Sequence, residues 1–260
     1  MLKFALLTTL AGSAFGQDPA HGWMAYAVGA VPEHVERITY MAMTWTVGAS
    51  APHSRAFYSP WFGMDPADNL NLIQPVNPWS GQSWSMYTEY YQWSPSHNSN
   101  SRQYNVESGY TLRGTTEYDA STDSYLLTQK CLETGDVSSQ TVPAQNGKRY
   151  MLPYIVYEKT FPCADYPPDE IVTFKNITIL CDGSDCGKDV KWEAKVEDAN
   201  CDMKARIDYP NAGEISITWN TKLASKYDNY TYDELEALNG KTGWGEKLVR
   251  ARAMVEERAP

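Results

Sequence analysis

Glu214-Ile215-Ser216-Ile217-Thr218-Trp219-Asn220 alternates polar and apolar side chains at a period of two. Successive side chains of an extended chain point to opposite faces, so this stretch lays Ile215, Ile217 and Trp219 on one side and polar groups on the other. Lys191-Trp192-Glu193-Ala194-Lys195-Val196-Glu197 repeats the pattern, and both are predicted to be half-buried strands. Working outward, 37–47, 110–117, 124–130 and 154–158 are rich in Thr, Tyr, Val and Ile, and turn-formers such as those of 119–123 separate several of them. Antiparallel sheets follow. Only the tail changes period: Thr231-x-x-Glu234 is a capping-box pattern, and Trp244, Leu248, Ala251 and Val255 recur at helical spacing. The expected fold is all-β, a double-sheet antiparallel β-sandwich of the concanavalin-like jelly-roll kind over 17–225, with a helical C-terminal extension over 226–260.

Composition bounds the function. A chain of 260 residues with 42% hydrophobic and 21% charged residues can fill a core, which excludes intrinsic disorder. Nine Trp and eighteen Tyr against six Phe suit strand surfaces and binding clefts. The net charge of −10 repels phosphate, so nucleic acid is not an expected partner. Residues 1–16 read as a secretory signal, with Lys3, an apolar run from Phe4 to Leu10, and Ala14 and Gly16 at the −3 and −1 positions. No later stretch is long and apolar enough to span a membrane, so a secreted, extracellular protein, monomeric and not membrane-bound, is expected. The sequons at Asn176 and Asn229 fit glycosylation on such a route.

Five cysteines, Cys131, Cys163, Cys181, Cys186 and Cys201, would meet an oxidising compartment, and an odd count leaves one unpaired. The turn 182–185 favours a Cys181–Cys186 disulfide. The same acidic loop lacks the further carboxylates of a calcium shell, and the cysteine spacing offers no zinc motif, so no metal and no cofactor are expected. His21, His34, His53 and His97 are read as scattered polar residues. His21 as an N-terminal copper ligand would need cleavage after Ala20, with Asp18 disfavoured at −3. There is no GxSxG, HExxH, P-loop or GxGxxG.

The densest segment holds Trp61-Phe62-Gly63-Met64-Asp65, Leu72-Ile73-Gln74-Pro75-Val76 and Tyr90-Tyr91-Gln92-Trp93-Ser94-Pro95. In order and spacing these blocks resemble the glutamic peptidases, the eqolisin family of acid endopeptidases, with their Trp-x-Gly-Ile-Asp, Ile-Leu-Gln and Tyr-Glu-Trp-Tyr-Pro blocks. Gly22 to Val28 and Val172 to Asn176 are similar to that family's opening and late strands, so the resemblance spans roughly residues 20 to 220. It implies a Gln and Glu dyad: a Glu that takes a proton from water and returns it to the leaving amine, and a Gln amide that holds the oxyanion. Gln74 takes the amide's place. The stretch matching the family's Glu-bearing strand is Pro153-Tyr154-Ile155-Val156-Tyr157-Glu158-Lys159, and gapless pairing puts Tyr157 at the catalytic position with Glu158 one step later. Either a bulge restores Glu158 or the dyad is broken. Gln92 stands where the family has a Glu, with Glu89 three residues earlier. The implied substrate-binding set is Trp61, Asp65, Glu89, Tyr91, Gln92 and Trp93.

Two functions stay open at this level: an acid endopeptidase acting on protein or peptide through Gln74 and Glu158, and a non-catalytic binding protein for carbohydrate or peptide. The second rests on the aromatic run Trp79, Trp84, Tyr87, Tyr90, Tyr91 and Trp93. A polysaccharide lyase or hydrolase is a weaker third, since no carboxylate pair is singled out for it.

Overall fold

The computed structural model describes residues 22–52, 55–92, 96–144 and 147–240. Among the described residues, sixteen strands form two antiparallel sheets. The first sheet runs β14 (Lys191–Val196), β1 (Trp23–Ala30), β11 (Tyr150–Glu158), β3 (Ser59–Pro66), β4 (Asn71–Val76), β5 (Trp84–Gln92) and β6 (His97–Asn100), with β7 (Tyr104–Val106) also on β5. The second runs β10 (Val137–Pro143), β9 (Ser124–Cys131), β8 (Thr111–Asp119), β2 (Ile38–Thr46), β12 (Ile171–Cys181), β16 (Ile215–Thr218) and β15 (Lys204–Ile207), with β13 (Ser184–Asp185) on β12.

Period-two alternation sorts the side chains of the first sheet into two buried clusters. Phe62, Met64, Ile73, Met86, Tyr90, Ile155 and Tyr157 join residues of the second sheet in the inter-sheet core. Their neighbours Trp61, Leu72, Val76, Tyr87, Tyr91, Tyr154 and Val156, with Trp23 and Tyr26, form a separate cluster drawn from β1, β3, β4, β5 and β11 alone. This second cluster therefore lies on the outer face of the first sheet. In the core, Trp45 and Phe62 meet edge to face at 5.9 Å. Phe62 fits because residue 114 is glycine: a Cβ there would come within 2.5 Å of its ring.

The two stretches read first both form strands, but only β16 sits with one face on the core. β14 is an edge strand, and Ala194 and Val196 are exposed because nothing in the described residues pairs beyond it. The helix, α1 (Tyr232–Gly240), lies within 226–260 and follows a turn at 226–229. The capping box is made: the Glu234 carboxylate accepts from Thr231 N at 2.7 Å, and Glu234 N donates to Thr231 Oγ1 at 3.3 Å. Trp244, Leu248, Ala251 and Val255 lie outside the described residues, as do residues 1–16 and the histidines at 21 and 53.

Cys181 and Cys186 are bonded to each other, and Cys163 is bonded to Cys201, leaving Cys131 as a buried free thiol. The acidic loop is engaged within the fold: Asp182 accepts from Glu36 N and Arg37 N, and Asp185 from Gly187 N. Asn176 and Asn229 are both exposed. No helix among the described residues is long and apolar enough to cross a membrane.

Candidate functional site

The outer face of the first sheet collects most of the predicted site residues. On β4 the outward positions are Leu72, Gln74 and Val76; on β5 they are Tyr87, Glu89 and Tyr91. Gln74 and Glu89 are direct cross-strand partners, and Gln74 Nε2 donates to Glu89 Oε2 at 3.0 Å. Asn98 on β6 donates to the other Glu89 oxygen. The carboxylate thus holds the Gln74 amide in one orientation and leaves its second N–H for another acceptor. Gln74 Oε1 is buried without a hydrogen bond.

On β3 the outward positions are Ser59, Trp61, Gly63 and Asp65. Gly63 lies against Gln74: a Cβ on it would come within 2.6 Å of the Ile73 carbonyl oxygen and 3.0 Å of Gln74 Cβ. Across Gly63 the partner on β11 is Tyr154. Gly63 thus leaves the β3 backbone bare beside Gln74, and the aromatic cluster flanks it, with Trp23 meeting Trp61 at 5.1 Å and Tyr154 at 5.2 Å, both edge to face.

The register of β11 decides between Tyr157 and Glu158. Pairing with β3 is unbroken from Leu152 to Glu158, with the irregularity placed earlier, between Tyr150 and Leu152. Tyr157 consequently enters the inter-sheet core, stacked on Tyr58 at 5.8 Å, and Glu158 faces outward with Tyr154 and Val156. No bulge at 157 is needed to bring Glu158 to this face. It stands level with Ser59, two outward positions beyond the level of Gln74. Its carboxyl is buried, and burial pushes it above the ordinary carboxylate range. Lys159 opposes that shift, Glu89 adds to it, and the nearby Trp61 indole and Ser59 hydroxyl lower it. Neither of the last two is in hydrogen-bond geometry, and both act on the carboxyl as facing dipoles. Burial likewise raises the Tyr87 hydroxyl, with Glu89 and Glu158 both adding to the effect. Glu89, Glu158 and Tyr87 therefore share one electrostatic environment.

Asp65 ends the row on β3. Both of its oxygens are buried without a hydrogen bond, and burial holds its carboxyl well above the ordinary range, with Asp68 adding to the shift and Lys148 opposing it.

Other expected members divide. Tyr91 faces outward beside Leu72. Gln92 points the other way, toward Tyr90, whose hydroxyl donates to Gln92 Oε1 at 2.7 Å, and it also accepts from Asn71 Nδ2 at 3.1 Å. Alternation from Glu89 requires this, because three residues along a strand reverse the face, and it is Glu89 that stands beside Gln74. Of the aromatic run, Trp79, Trp84 and Tyr90 fill the inter-sheet core, and Trp93 lies outside the described residues. No group of His, Cys, Asp and Glu able to hold a metal occurs among the described residues.

Two side chains had not been singled out in the sequence. Lys159 is buried directly beyond Glu158, its Nζ 4.0 Å from Glu158 Oε1. Asn239 on α1 grips the next residue, accepting from Thr160 N and donating to Thr160 O, each at 3.0 Å.

This double-sheet sandwich with its carboxyl and amide groups on an outer sheet face has the fold of the glutamic peptidases. A Scytalido-glutamic peptidase bound to a peptide-based transition-state analogue superimposes with a TM-score of 0.58 at 14% identity, covering 76% of this chain and 98% of that one. SCP-B, an eqolisin in complex with the tripeptide Ala-Ile-His, gives 0.55 at 14% identity over the same shares. No protein-family model and no curated protein sequence matches the chain.

Proposed function

We propose that this chain is a secreted acid endopeptidase, with Gln74 as the oxyanion donor and Glu158 as the general base. The observation that carries the reading is the Gln74–Glu89 pair: a carboxylate accepts one N–H of a buried amide and so aims the other at the outer face. Glu158 supplies a carboxyl whose raised affinity for a proton suits both halves of the reaction. Ionised, it takes a proton from water as the water oxygen bonds to the scissile carbonyl carbon. The carbonyl oxygen becomes an oxyanion that accepts from Gln74 Nε2. Protonated Glu158 then gives its proton to the amine as the C–N bond breaks. Water is the nucleophile, and water, peptide and proton balance without a metal, a side-chain nucleophile or a cofactor. The buried aromatic cluster around Gln74 would supply the apolar contacts of an extended peptide, and the two disulfides fit an extracellular setting.

One observation favours a second reading, a non-catalytic binding protein for peptide or carbohydrate. Tyr154, not a carboxylate, stands level with Gln74 across Gly63, and Glu158 begins four residues further along the strand, about 13 Å at 3.3 Å per residue. The test is hydrolysis of a denatured protein between about pH 2 and 6, where carboxyls of ordinary or raised pKa titrate. Cleavage resistant to chelators and to serine- and cysteine-directed reagents, lowered about a hundredfold or more by Gln74→Ala and abolished by Glu158→Gln, is expected. No cleavage at any pH, with ligand binding intact in Glu158→Gln, selects the binding protein.

A further inference from the structure

Adjacent side chains of a strand point to opposite faces, so Lys159 should enter the inter-sheet core behind Glu158. It does not, because its backbone leaves the extended region: φ at Lys159 is 83°, a left-handed conformation that L side chains rarely adopt. That turn swings the ammonium back to the side of the Glu158 carboxyl, 4.0 Å away, with 2% of the lysine exposed. The conformation is costly and the surroundings hold it. Lys159 N donates to Gly22 O at 2.9 Å, and Tyr166 Oη donates to Lys159 O at 2.7 Å. Thr160 N and O are both taken by Asn239, Phe161 N donates to Tyr166 Oη at 3.0 Å, and Asn200 Nδ2 donates to Phe161 O at 2.9 Å. Every backbone group from 159 to 161 has a partner, and all but one are side chains. Two residues later the Cys163–Cys201 disulfide fixes the chain again. A strained, buried lysine so fully braced is the kind of outlier that accompanies function.

We propose that Lys159 is a positioning residue of this site, braced in a left-handed turn so that its ammonium keeps the neighbouring Glu158 carboxyl charged inside a buried face. The role rests on the reading of Glu158 as a base, since a base must be ionised to accept a proton. Facing Glu158 are Lys159 on its own chain, Glu89 and Tyr87 from β5, and Ser59 and Trp61 from β3, with Trp23 of β1 as its backbone neighbour. Among the described residues Lys159 is the one cation in that set. Burial lowers the affinity of Lys159 for its proton, and Glu158 and Glu89 oppose that shift.

The experiment is a titration of side-chain carboxyls by NMR in protein carrying 13C-labelled glutamate, with the Glu158 resonance assigned by its disappearance in Glu158→Gln. Removing an opposite charge at this range shifts a carboxyl by about one to three units, so Lys159→Met should titrate Glu158 at a pH higher by about that amount. Lys159→Gly is the companion variant, because glycine adopts the left-handed backbone without strain and preserves the fold. Lys159→Arg should leave the titration within half a unit of the wild type. The acid limb of peptide hydrolysis should move with the carboxyl in each variant. An unchanged or lowered Glu158 titration in both Lys159→Met and Lys159→Gly overturns the proposal. A raised titration in a protein that hydrolyses no peptide leaves the electrostatic hold of Lys159 on Glu158 standing and sinks the peptidase reading, and with it the catalytic purpose of that hold.

Discussion

Replacing Gly63 with alanine tests the floor of the site more directly than removing a polar group. The added methyl would sit 2.6 Å from the Ile73 carbonyl oxygen and 3.0 Å from both Gln74 Cβ and Leu72 Cδ1. Carbon-to-oxygen and carbon-to-carbon contacts normally begin near 3.2 to 3.5 Å, so overlaps of roughly half an ångström must be relieved. Leu72 can turn aside, but the Ile73 carbonyl belongs to backbone, so β3 and β4 must part. Overpacking of this kind costs about 1 to 3 kcal/mol, which for a chain of this length lowers Tm by about 2 to 12 °C. Because Gln74 rides on the displaced strand, hydrolysis of a denatured substrate should fall by about tenfold to a hundredfold, in line with the sensitivity of positioned groups to shifts near 1 Å. Urea unfolding at pH 5 measures the first effect and steady-state proteolysis the second. A Gly63→Ala protein within 0.5 kcal/mol of wild type and with unchanged turnover would refute the view that Gly63 exists to bring Gln74 against the β3 backbone.

Glu89→Gln puts an amide N–H against one of the two donors from Gln74 and Asn98, so proteolysis should drop about tenfold or more with the sandwich retained by circular dichroism; unaltered turnover would show that Gln74 needs no orienting partner. From loop closure over sequence separations of 38 and 5 residues, losing Cys163–Cys201 should cost about 4 kcal/mol and losing Cys181–Cys186 about 2 kcal/mol, an order that paired Cys→Ser variants in chemical denaturation can reverse. Asp65 binds its proton more tightly when folded than when unfolded, so its contribution to stability is present below the unfolded pKa near 4 and is lost as pH rises through the higher folded value. Relative to Asp65→Asn, the wild type should therefore lose Tm as the pH rises above about 4, and parallel Tm profiles for the two proteins would contradict the buried carboxyl without a hydrogen bond.

Alternation carried most of what the sequence revealed. Ile215, Ile217 and the 124–130 run announced strands because one side of each meets a core, whereas β14 read the same way and proved to be an exposed edge, since alternation does not record how many neighbours a strand has. The same rule places Glu89 and not Gln92 beside Gln74, a conclusion available from Tyr87, Glu89 and Tyr91 once they are read as one face. It also resolves Tyr157 against Glu158, but only after the register of β11 on β3 is known, and register between distant strands is set by tertiary packing. Lys159 stayed hidden because a left-handed lysine has no sequence signature. Asn239 stayed hidden because its partner, Thr160, lies 79 residues away, just past the end of β11, which nothing local predicts.

The odd thiol also bears on how the molecule should be handled. Cys131 closes β9 inside the inter-sheet core and is fully buried, so in the native state it meets neither a thiol reagent nor the two disulfides. Once the sheets part, the same sulfur becomes an intramolecular nucleophile able to attack either cystine and trap the chain with the wrong bridge. That exchange runs through the thiolate, which is scarce in acid. A protein that unfolds and refolds cleanly at pH 4 should consequently lose reversibility at pH 8, and Cys131→Ser should restore it, making an acidic environment a safeguard of its covalent integrity irrespective of what it does to a substrate.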